Sequence, residues 1–342
     1  MTPKYDTLII TNIPAFYKIN LWNALSEQSK IFVIFISDHS QIRTQDFIQG
    51  DIVFDHIILD HNDYERISVK RLWRLYKLLK SINFSHLMLC GWDMPEYWLG
   101  AFSTNRSKNI VVVESSEHEG AQSGIKLWLK QLFLSRMSSA LVSGQSQENL
   151  ILSLGFKGRT ITTGGVGIFH KTAIDHQHCN FRGKFLFVGR LSPEKNIPFL
   201  LDLLRLFPTY ALTIAGDGPL LKELKHNAPQ NVHFIGHIPN EKLHEIYSLH
   251  DIFLLPSTTE PWGLVVEEAI FHGLPVVISD QVGCSYEMVQ KLNSGLSLPL
   301  DIDLWRQEIT NNLIPNYLQF RNNCIAFDFE KRDSAQVKAF AL

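Results

Sequence analysis

The stretch L-L-P-S-T-T-E-P-W-G-L-V-V-E-E-A, residues 254–269, decides the fold, because it leads from an apolar strand through a short loop into a helix. Pro261 suits a helix start and disfavours helix at the residue before it. The pattern therefore predicts a helix that begins near residues 262–264 and runs to about His272, where Gly273 ends it. A buried strand followed by a loop and a helix is typical of a parallel α/β sheet.

Two carboxylates flank this predicted helix start. Glu260 lies in the loop before the helix, and Glu268 projects from its second turn. The first amides of a helix have no partner within the helix and favour an anion such as a diphosphate. Carboxylates are good acceptors for sugar or ribose hydroxyls. The order of a carboxylate, the helix amides and a second carboxylate therefore matches a sugar, a diphosphate and a ribose taken in turn. The alternative is that Glu260 is an ordinary loop residue and that Glu268 lies on a solvated helix face.

Short apolar runs alternate with segments of helical period along the whole chain, which predicts an α/β fold with two doubly wound, Rossmann-like domains. The predicted N-terminal domain covers residues 1–175, and the predicted C-terminal domain covers residues 176–302. Residues 303–342 are predicted to form a tail that packs back near the N-terminal domain. The predicted strands are 7–10, 31–36, 52–59, 86–90, 110–114, 140–143, 184–189, 210–216, 231–236, 251–256 and 275–279.

Length and composition narrow the possible functions. A chain of 342 residues suggests about two domains, and a formal net charge of −2 gives no reason to expect a nucleic acid partner. The four cysteines are far apart and form no C-x-x-C pair, which favours a reducing, cytoplasmic setting. No apolar run approaches the ~18 to 20 residues of a membrane span. We expect a cytoplasmic protein that is soluble or peripheral on the inner face of the cytoplasmic membrane.

A second motif places two cations in one loop. The strand that ends at Gly189 is followed by R-L-S-P-E-K-N, with Arg190 and Lys195 five residues apart. A guanidinium and an ammonium together can hold a diphosphate and stabilise negative charge on a departing phosphate. The alternative is that both are surface residues in a loop where Ser192 starts a helix.

The motifs G-R-L-S-P-E-K-N, G-D-G-P, N-V-H-F-I-G, L-L-P-S-T-T-E-P-W-G-L-V-V-E-E-A and G-L-P-V-V-I-S-D occur in this order between residues 184 and 290. The combination resembles the retaining nucleotide-sugar glycosyltransferases of family 4, which have the GT-B architecture. The resemblance therefore implies two Rossmann-like domains facing across a cleft. A looser similarity extends upstream, through residues 11–25 and 142–156. Two departures from the family pattern are the first loop, which carries N-I-P-A where relatives often have glycines, and G-G-V-G at 164–167 in place of N-G-V-D.

The resemblance implies roles for the matching residues. It implies that Arg190 and Lys195 bind the donor pyrophosphate, that Glu260 contacts the transferred sugar and that Glu268 binds ribose. It also implies that Gly263 and Leu264 offer backbone amides to the substrate. Trp262, at the same helix start, is a further candidate for substrate binding.

A further candidate follows the strand I-V-V-V-E in the first domain. The sequence S-S-E-H-E-G places Glu117 and His118 at the end of this strand. In many relatives a histidine after the corresponding strand lies near the reacting sugar, so the resemblance makes His118 a candidate and Glu117 its close rival. The alternative is a solvated acidic loop.

Two segments combine basic and aromatic residues. Residues 66–84 carry six bases and no acid, interleaved with Trp73 and Tyr76, and residues 125–137 repeat this character. Such segments suit an anionic membrane surface and a lipid-linked acceptor. The alternative is that each is a helix packed on a sheet with its basic side chains extended towards water.

Metal-binding patterns are weak. Asp301 and Asp303 resemble the D-x-D of metal-dependent glycosyltransferases, but their position after Pro299 predicts that one of them caps a helix. His176, His178 and Cys179 could ligate zinc, yet no matching second pair follows. We expect no metal and no cofactor, with the nucleotide diphosphate sugar as a substrate.

The predicted function is a retaining, metal-independent glycosyltransferase of bacterial surface polysaccharide assembly, which moves a sugar from a nucleotide diphosphate sugar to a glycan or a lipid-linked glycan. The alternatives are a sugar-nucleotide epimerase or phosphorylase of the same architecture, or a catalytically silent sugar-nucleotide-binding scaffold subunit.

Overall fold

The computed structural model describes residues 4–40, 50–63, 66–117, 124–172 and 180–341. The chain divides into two compact units. The first unit runs to Phe169 and resumes at Glu330, and the second unit comprises His170–Phe329. Each unit is built around its own parallel sheet, as the alternation of strands and helices predicts.

The first unit contains a seven-stranded sheet in its described residues. Its strands are β1 (Lys4–Thr11), β2 (Ile31–His39), β3 (Asp55–Asp63), β4 (Asn83–Leu89), β5 (Asn109–Val113), β6 (Ser139–Val142) and β7 (Arg159–Thr162). They pair in parallel in the order β3-β2-β1-β4-β5-β6-β7. The helices are α1 (Phe16–Ser26), α2 (Val69–Ser81), α3 (Pro95–Ser103), α4 (Gly124–Leu134), α5 (Gln145–Ser153) and, from the end of the chain, α12 (Phe329–Phe340).

Hydrophobic cores cover both faces of this sheet. On one face, α2, α3, α4 and α5 bury residues such as Leu75, Tyr97 and Phe133. On the other face, α1 and α12 pack together, and the rings of Trp22 and Phe340 meet edge to face at 5.2 Å. Apolar cover on both faces explains why the central strands read as continuous apolar runs in the sequence.

The described part of the second unit contains a six-stranded parallel sheet. Its strands are β8 (Lys184–Val188), β9 (Ala211–Ala215), β10 (Val232–Gly236), β11 (Ile252–Leu255), β12 (Val276–Ser279) and β13 (Gly295–Leu298), in the order β10-β9-β8-β11-β12-β13. Its helices are α6 (Ile197–Arg205), α7 (Leu221–Asn227), α8 (Leu243–Ser248), α9 (Leu264–Phe271), α10 (Ile302–Glu308) and α11 (Tyr317–Ala326), with a π-helical segment at Ser285–Gln290.

Strand order reverses once in each sheet. In the first unit the reversal lies between β1 and β4, and in the second it lies between β8 and β11. Open α/β sheets bind ligands beyond the carboxyl ends of the strands at this point. The loops that follow these four strands are therefore where functional residues are expected.

The predicted domain limits need correction at the C-terminal end. The second unit ends at Phe329 rather than at residue 302. The reason is packing: Trp305 of α10 lies 5.0 Å from the ring of Phe199, and Arg321 of α11 donates to the carbonyl of Gly273 at 2.8 Å. From Glu330 onward the chain belongs to the first unit. The boundary between the units falls after Phe169, six residues before the predicted one.

Two strands are absent from the prediction. β7, with the sequence R-T-I-T, and β13, with the sequence G-L-S-L, are short strands at the sheet edges, and neither has a fully buried residue. An edge strand lacks the long apolar run that marks a central strand, so its sequence resembles a loop.

Within the described residues no helix is long and apolar enough to cross a membrane.

Candidate functional site

The loop between β11 and α9 forms the framework of the candidate site. Gly263 is the residue before the helix and adopts φ 99° and ψ 60°, a left-handed conformation that suits glycine. A Cβ at this position would lie 3.0 Å from Cγ1 of Val282. α9 begins at Leu264, and Gly273 follows its end with φ 74°. These bounds confirm the predicted helix.

The neighbouring loop after β12 holds this segment in place. Glu260 forms an isolated parallel bridge with Val282, and the Gly283 amide donates to the Glu260 carbonyl at 2.9 Å. The Cys284 amide donates to the Trp262 carbonyl at 3.0 Å. The loop before α9 is therefore fixed by backbone hydrogen bonds.

The start of α9 presents unpaired backbone donors. Val266 closes the first turn by donating to the Gly263 carbonyl at 2.8 Å. Within the described part of the chain the amides of Leu264 and Val265 donate to no acceptor. A pair of free amides at the positive end of a helix is suited to bind a phosphate oxygen. The structure therefore supplies the amide donor predicted at Leu264, and Val265 adds a second.

Lys195 and Glu260 meet across the two loops. The Lys195 ammonium forms an ion pair with the Glu260 carboxylate, and both side chains are mostly but not fully buried. A turn at Pro193–Lys195 carries the lysine, and the Thr258 amide donates to the Glu194 carbonyl at 2.8 Å. Two segments predicted separately from the sequence are thus joined at the reversal between β8 and β11.

Arg190 lies in the same loop as Lys195 and is exposed. Among the residues that the structure describes, its guanidinium has no hydrogen-bond or ion-pair partner. Burial opposes ionisation of Glu194, but a hydrogen bond from Ser192 and the charges of Lys195 and Arg190 hold the pKa of Glu194 below its ordinary value. A guanidinium without a protein partner is available to an anionic ligand.

The glycines of G-D-G-P bring another loop against this one. A Cβ on Gly216 would lie 1.9 Å from the Gly189 carbonyl oxygen, and a Cβ on Gly218 would lie 2.5 Å from that of Leu191. The Leu191 amide donates to the Asp217 carbonyl at 2.9 Å. These glycines therefore allow close backbone packing beneath the loop of Arg190.

Glu268 lies at the other side of the helix start. The hydroxyl of Tyr247, a buried residue of α8, donates to Glu268 Oε2 at 2.9 Å. The Tyr247 ring stacks on the His272 imidazole with centroids 4.8 Å apart. Burial raises the pKa of Glu268 to about 7, the Tyr247 hydrogen bond opposes this, and the charge of Glu267 adds to it. Tyr247 could not be predicted from the sequence, because nothing local in α8 marks it.

The Trp262 side chain lies beneath the helix start. Its indole is 2% exposed, and Nε1 donates to the carboxylate of Glu267, which is fully buried. The substrate-binding role of Trp262 stays a prediction. Glu267 is therefore a packing partner, although the helical period places it next to Glu268.

The candidates of the first unit lie after β5. The Glu117 amide donates to Ser146 Oγ at 3.4 Å, and Asn149 Nδ2 is 3.5 Å from Glu117 Oε2. Glu117 thus lies at the start of α5. His118 lies outside the described residues, so its predicted role stays a prediction.

Metal-ligand patterns have simple structural explanations where they are described. Asp301 caps α10 by accepting from the Leu304 amide at 3.0 Å, which confirms the capping prediction. No group of three potential metal ligands occurs among the described residues. His176, His178 and Cys179 fall outside them.

The fold is that of the GT-B glycosyltransferases, and the candidate site lies at the strand reversal of the second unit. The chain shares this fold with the lipopolysaccharide outer core galactosyltransferase WaaB, at a TM-score of 0.73 and 16% identity over 99% of both chains. It also shares the fold with HepE of Anabaena in complex with UDP and glucose, at a TM-score of 0.70 and 16% identity over 98% of this chain and 99% of that one.

A family model matches part of the second unit. Residues 176–309 match the family model described as "Glycosyl transferases group 1", and we identify them as a domain of this family. The O-antigen biosynthesis glycosyltransferase WbnH of Escherichia coli is 26% identical over 276 residues, which span 78% of this chain and 77% of WbnH. The resemblance to GT-B glycosyltransferases is thereby confirmed. Membership of family 4 stays a prediction.

Proposed function

We propose that this chain is a retaining glycosyltransferase of family 4 that transfers a sugar from a nucleotide diphosphate sugar. One observation carries the proposal: Lys195, Glu260 and the free amides of α9 lie together at the strand reversal of the second unit. This set offers cationic and amide donors for a diphosphate, beside a carboxylate for hydroxyls. The complexes of the structural relative HepE with UDP and with UDP-glucose support a donor of this class.

The donor is proposed to lie along the loop and the helix start. The amides of Leu264 and Val265 bind one phosphate oxygen, while Arg190 and Lys195 neutralise the remaining charge. Glu260 accepts hydrogen bonds from the transferred sugar. Glu268, supported by the Tyr247 hydroxyl, accepts them from ribose.

The proposed reaction proceeds with retention through an oxocarbenium-like state. A glycosidase would place two carboxylates around the anomeric carbon, whereas here Glu268 is assigned to ribose. The leaving phosphate then removes the acceptor proton on the same face from which it departs. Protein groups contribute by holding the diphosphate and stabilising the charge that develops on it, which requires neither a metal nor a cofactor.

The acceptor is proposed to be a glycan or a lipid-linked glycan of bacterial surface polysaccharide. The similarity to WbnH, whose name assigns it to O-antigen biosynthesis, supports this setting. The fold of WaaB, a lipopolysaccharide outer core galactosyltransferase, is consistent with it. Nucleotide sugars are cytoplasmic substrates, so we place the protein in the cytoplasm, peripheral on the inner membrane face.

The outer surfaces of α2 and α4 support a membrane partner. The ion pair of Arg71 with Glu96 joins α2 to α3, and the rings of Trp98 and Phe133 join α3 to α4. The three helices therefore lie side by side. The outward face exposes large apolar side chains together with bases, which suits an anionic lipid surface. The exposed apolar residues are Val69, Trp73, Tyr76, Phe102, Ile125, Trp128 and Leu129.

The structure also limits the number of bases available to lipid. Arg71 is buried, and Arg74 donates to the Leu59 carbonyl at 2.6 Å. Lys77 lies over the exposed Trp73 ring, 3.4 Å from its centroid. The proposed membrane surface consists of Lys70, Lys77 and Lys80 with the exposed aromatic residues, rather than of all six bases of residues 66–84.

Thermal unfolding with UDP, GDP, ADP, CMP and their sugar conjugates tests the donor site. A ligand at 100 times its dissociation constant adds about 2.7 kcal/mol to the free energy of unfolding. We expect one nucleotide series to raise the melting temperature of the wild type and to do so less for Arg190→Ala and Glu268→Ala. Arg205→Ala, an exposed arginine paired with Asp202, is the matched control. Absence of any shift would contradict the proposal.

A further inference from the structure

A buried ion pair of the first unit lies outside the proposed donor site. Lys18 of α1 and Glu114, which follows β5, approach to 3.0 Å between Nζ and Oε1. The lysine side chain is 3% exposed, whereas that of Glu114 is 29% exposed. Taking a charge out of water is costly unless it is paired, so such a pair calls for a reason.

The pair spans the reversal of strand order. α1 follows β1, and Cys90 follows β4, the strand that lies between β1 and β5 in the sheet. Lys18 and Glu114 thus meet over the carboxyl ends of these three strands, which is where open α/β sheets bind ligands. Arg71 and Glu96 form a second buried pair in this unit, between α2 and α3, but its carboxylate is fully buried, whereas that of Glu114 is 29% exposed.

The groups around the pair have defined charges. Burial lowers the pKa of Lys18, but the charge of Glu114 outweighs it and raises the pKa above its ordinary value, so the ammonium stays charged. Burial raises the pKa of the Cys90 thiol to about 12; the Lys18 charge opposes this and the Glu114 charge adds to it. The cluster therefore holds one cation, one anion and a neutral thiol.

Hydrogen-bonding capacity remains on both partners. An ammonium has three N–H donors, and among the described residues Lys18 contacts a single acceptor, Glu114. Glu114 Oε2 likewise accepts no hydrogen bond from a described residue. Because the pair is neutral overall, an anionic ligand would be repelled by Glu114 and a cationic one by Lys18. A neutral ligand that both donates and accepts, such as two adjacent hydroxyls, satisfies both partners.

We propose that Lys18 and Glu114 bind two neighbouring hydroxyls of a sugar, with Lys18 donating to one oxygen and Glu114 accepting from the other hydroxyl. The sugar is the hydroxyl-bearing acceptor, and this step of the inference rests on the proposed glycosyl transfer. Glu114 is thus a binding residue, and Lys18 binds the ligand and also fixes the Glu114 carboxylate.

Saturation-transfer NMR with methyl glycosides of glucose, galactose, mannose and N-acetylglucosamine tests this site without a donor nucleotide. We expect at least one glycoside to bind the wild type and to bind Glu114→Gln about tenfold or more weakly, since a hydrogen bond to a charged group contributes on that scale. If no glycoside binds the wild type, or if Glu114→Gln binds as well as the wild type, the proposal is wrong.

A double variant separates binding from a purely structural role. Glu114→Gln alone leaves the buried Lys18 charge unpaired and should lower the melting temperature. Lys18→Met with Glu114→Gln removes both charges at similar volume. The melting temperature of this double variant should therefore be close to that of the wild type, while its glycoside binding should be as weak as that of Glu114→Gln. Recovery of binding together with stability would overturn the proposal. Arg71→Met with Glu96→Gln is the matched control, and it should leave glycoside binding unchanged.

Nucleotide binding distinguishes failure of this site from failure of the proposed function. Glu114→Gln should keep the thermal shift produced by the preferred nucleotide, and Arg190→Ala should keep glycoside binding. If glycosides bind in a Glu114-dependent manner but no nucleotide binds, the sugar site is supported and the proposed transfer reaction is wrong.

Discussion

Lys195 and Glu260 form an ion pair although 65 residues separate them in the chain. The contact joins the loop after β8 to the loop before α9, and Thr258 reinforces it by donating to the Glu194 carbonyl. A cation and a hydroxyl acceptor are thereby held side by side. This pairing makes the two residues the first targets for substitution.

Lys195→Met should lower kcat for transfer by roughly 10²–10³-fold, the scale found when a group that stabilises transition-state charge is removed. The melting temperature should fall as well, because the substitution leaves the mostly buried Glu260 carboxylate without its partner. Steady-state kinetics with the preferred donor measures kcat, and thermal unfolding measures the melting temperature. Arg182→Met removes the Arg182–Asp251 pair of the same unit and should reduce stability without this loss of kcat. A Lys195→Met enzyme with wild-type kcat would contradict the assignment.

Gly263→Ala should destabilise the second unit more than Gly236→Ala does. Both glycines have positive φ, 99° and 79°, so each substitution introduces backbone strain of roughly 1–3 kcal/mol. At Gly236 nothing lies within 4 Å of the new Cβ, whereas at Gly263 it meets Val282 at 3.0 Å. Urea denaturation measures the difference. Equal losses of unfolding free energy at the two positions would show that the Val282 side chain moves away from the new Cβ at no cost.

Glu268 should make stability depend on pH. Its pKa is raised from 4.5 to about 7 in the folded protein, so the folded state retains a proton that the unfolded chain has already lost. The free energy of unfolding should therefore fall as pH rises from about 4.5 to 7, and this contribution should be constant above that window. Melting temperatures of wild type and Glu268→Gln across this range measure it. Tyr247→Phe removes a hydrogen bond that favours the ionised Glu268 carboxyl, so the pKa of Glu268 should rise further. The pH range over which the free energy of unfolding falls should then extend to higher pH.

Flotation with anionic liposomes at low salt tests the membrane surface of α2 and α4. The wild type should float and be released by salt, because lysines attract anionic lipid only within the screening length. Trp73→Ser with Trp128→Ser should weaken flotation. Leu249→Ser, at an exposed leucine of the second unit, is the control and should float normally. Failure of the wild type to float would refute the membrane proposal.

Chelation should leave transfer unchanged. Arg190 and Lys195 are proposed to balance the diphosphate charge that a divalent ion balances in metal-dependent enzymes. Activity assays with and without EDTA, after the protein has been dialysed against the chelator, measure this. Abolition of activity that Mg²⁺ or Mn²⁺ restores would overturn metal independence.

Much of the fold could be predicted because its signals are local. Apolar runs mark the central strands, and Pro261 and Gly273 mark the ends of α9 through their own backbone preferences. The edge strands β7 and β13 could not be predicted in this way, since half-exposed strands carry no such run. Nor could α10 and α11 be assigned to a unit, because that depends on contacts such as Trp305 with Phe199.

The sequence by itself determined the two parallel α/β sheets, the cationic loop after β8 and the helix start beside Glu260, because periodicity and backbone sterics act over a few residues. Tertiary structure alone decided which side chains meet. It paired Lys195 with Glu260, placed Tyr247 against Glu268, buried Trp262 and brought Lys18 to Glu114. These contacts and the pKa of Glu268 depend on burial and on partners far away in the chain, and no local pattern encodes either.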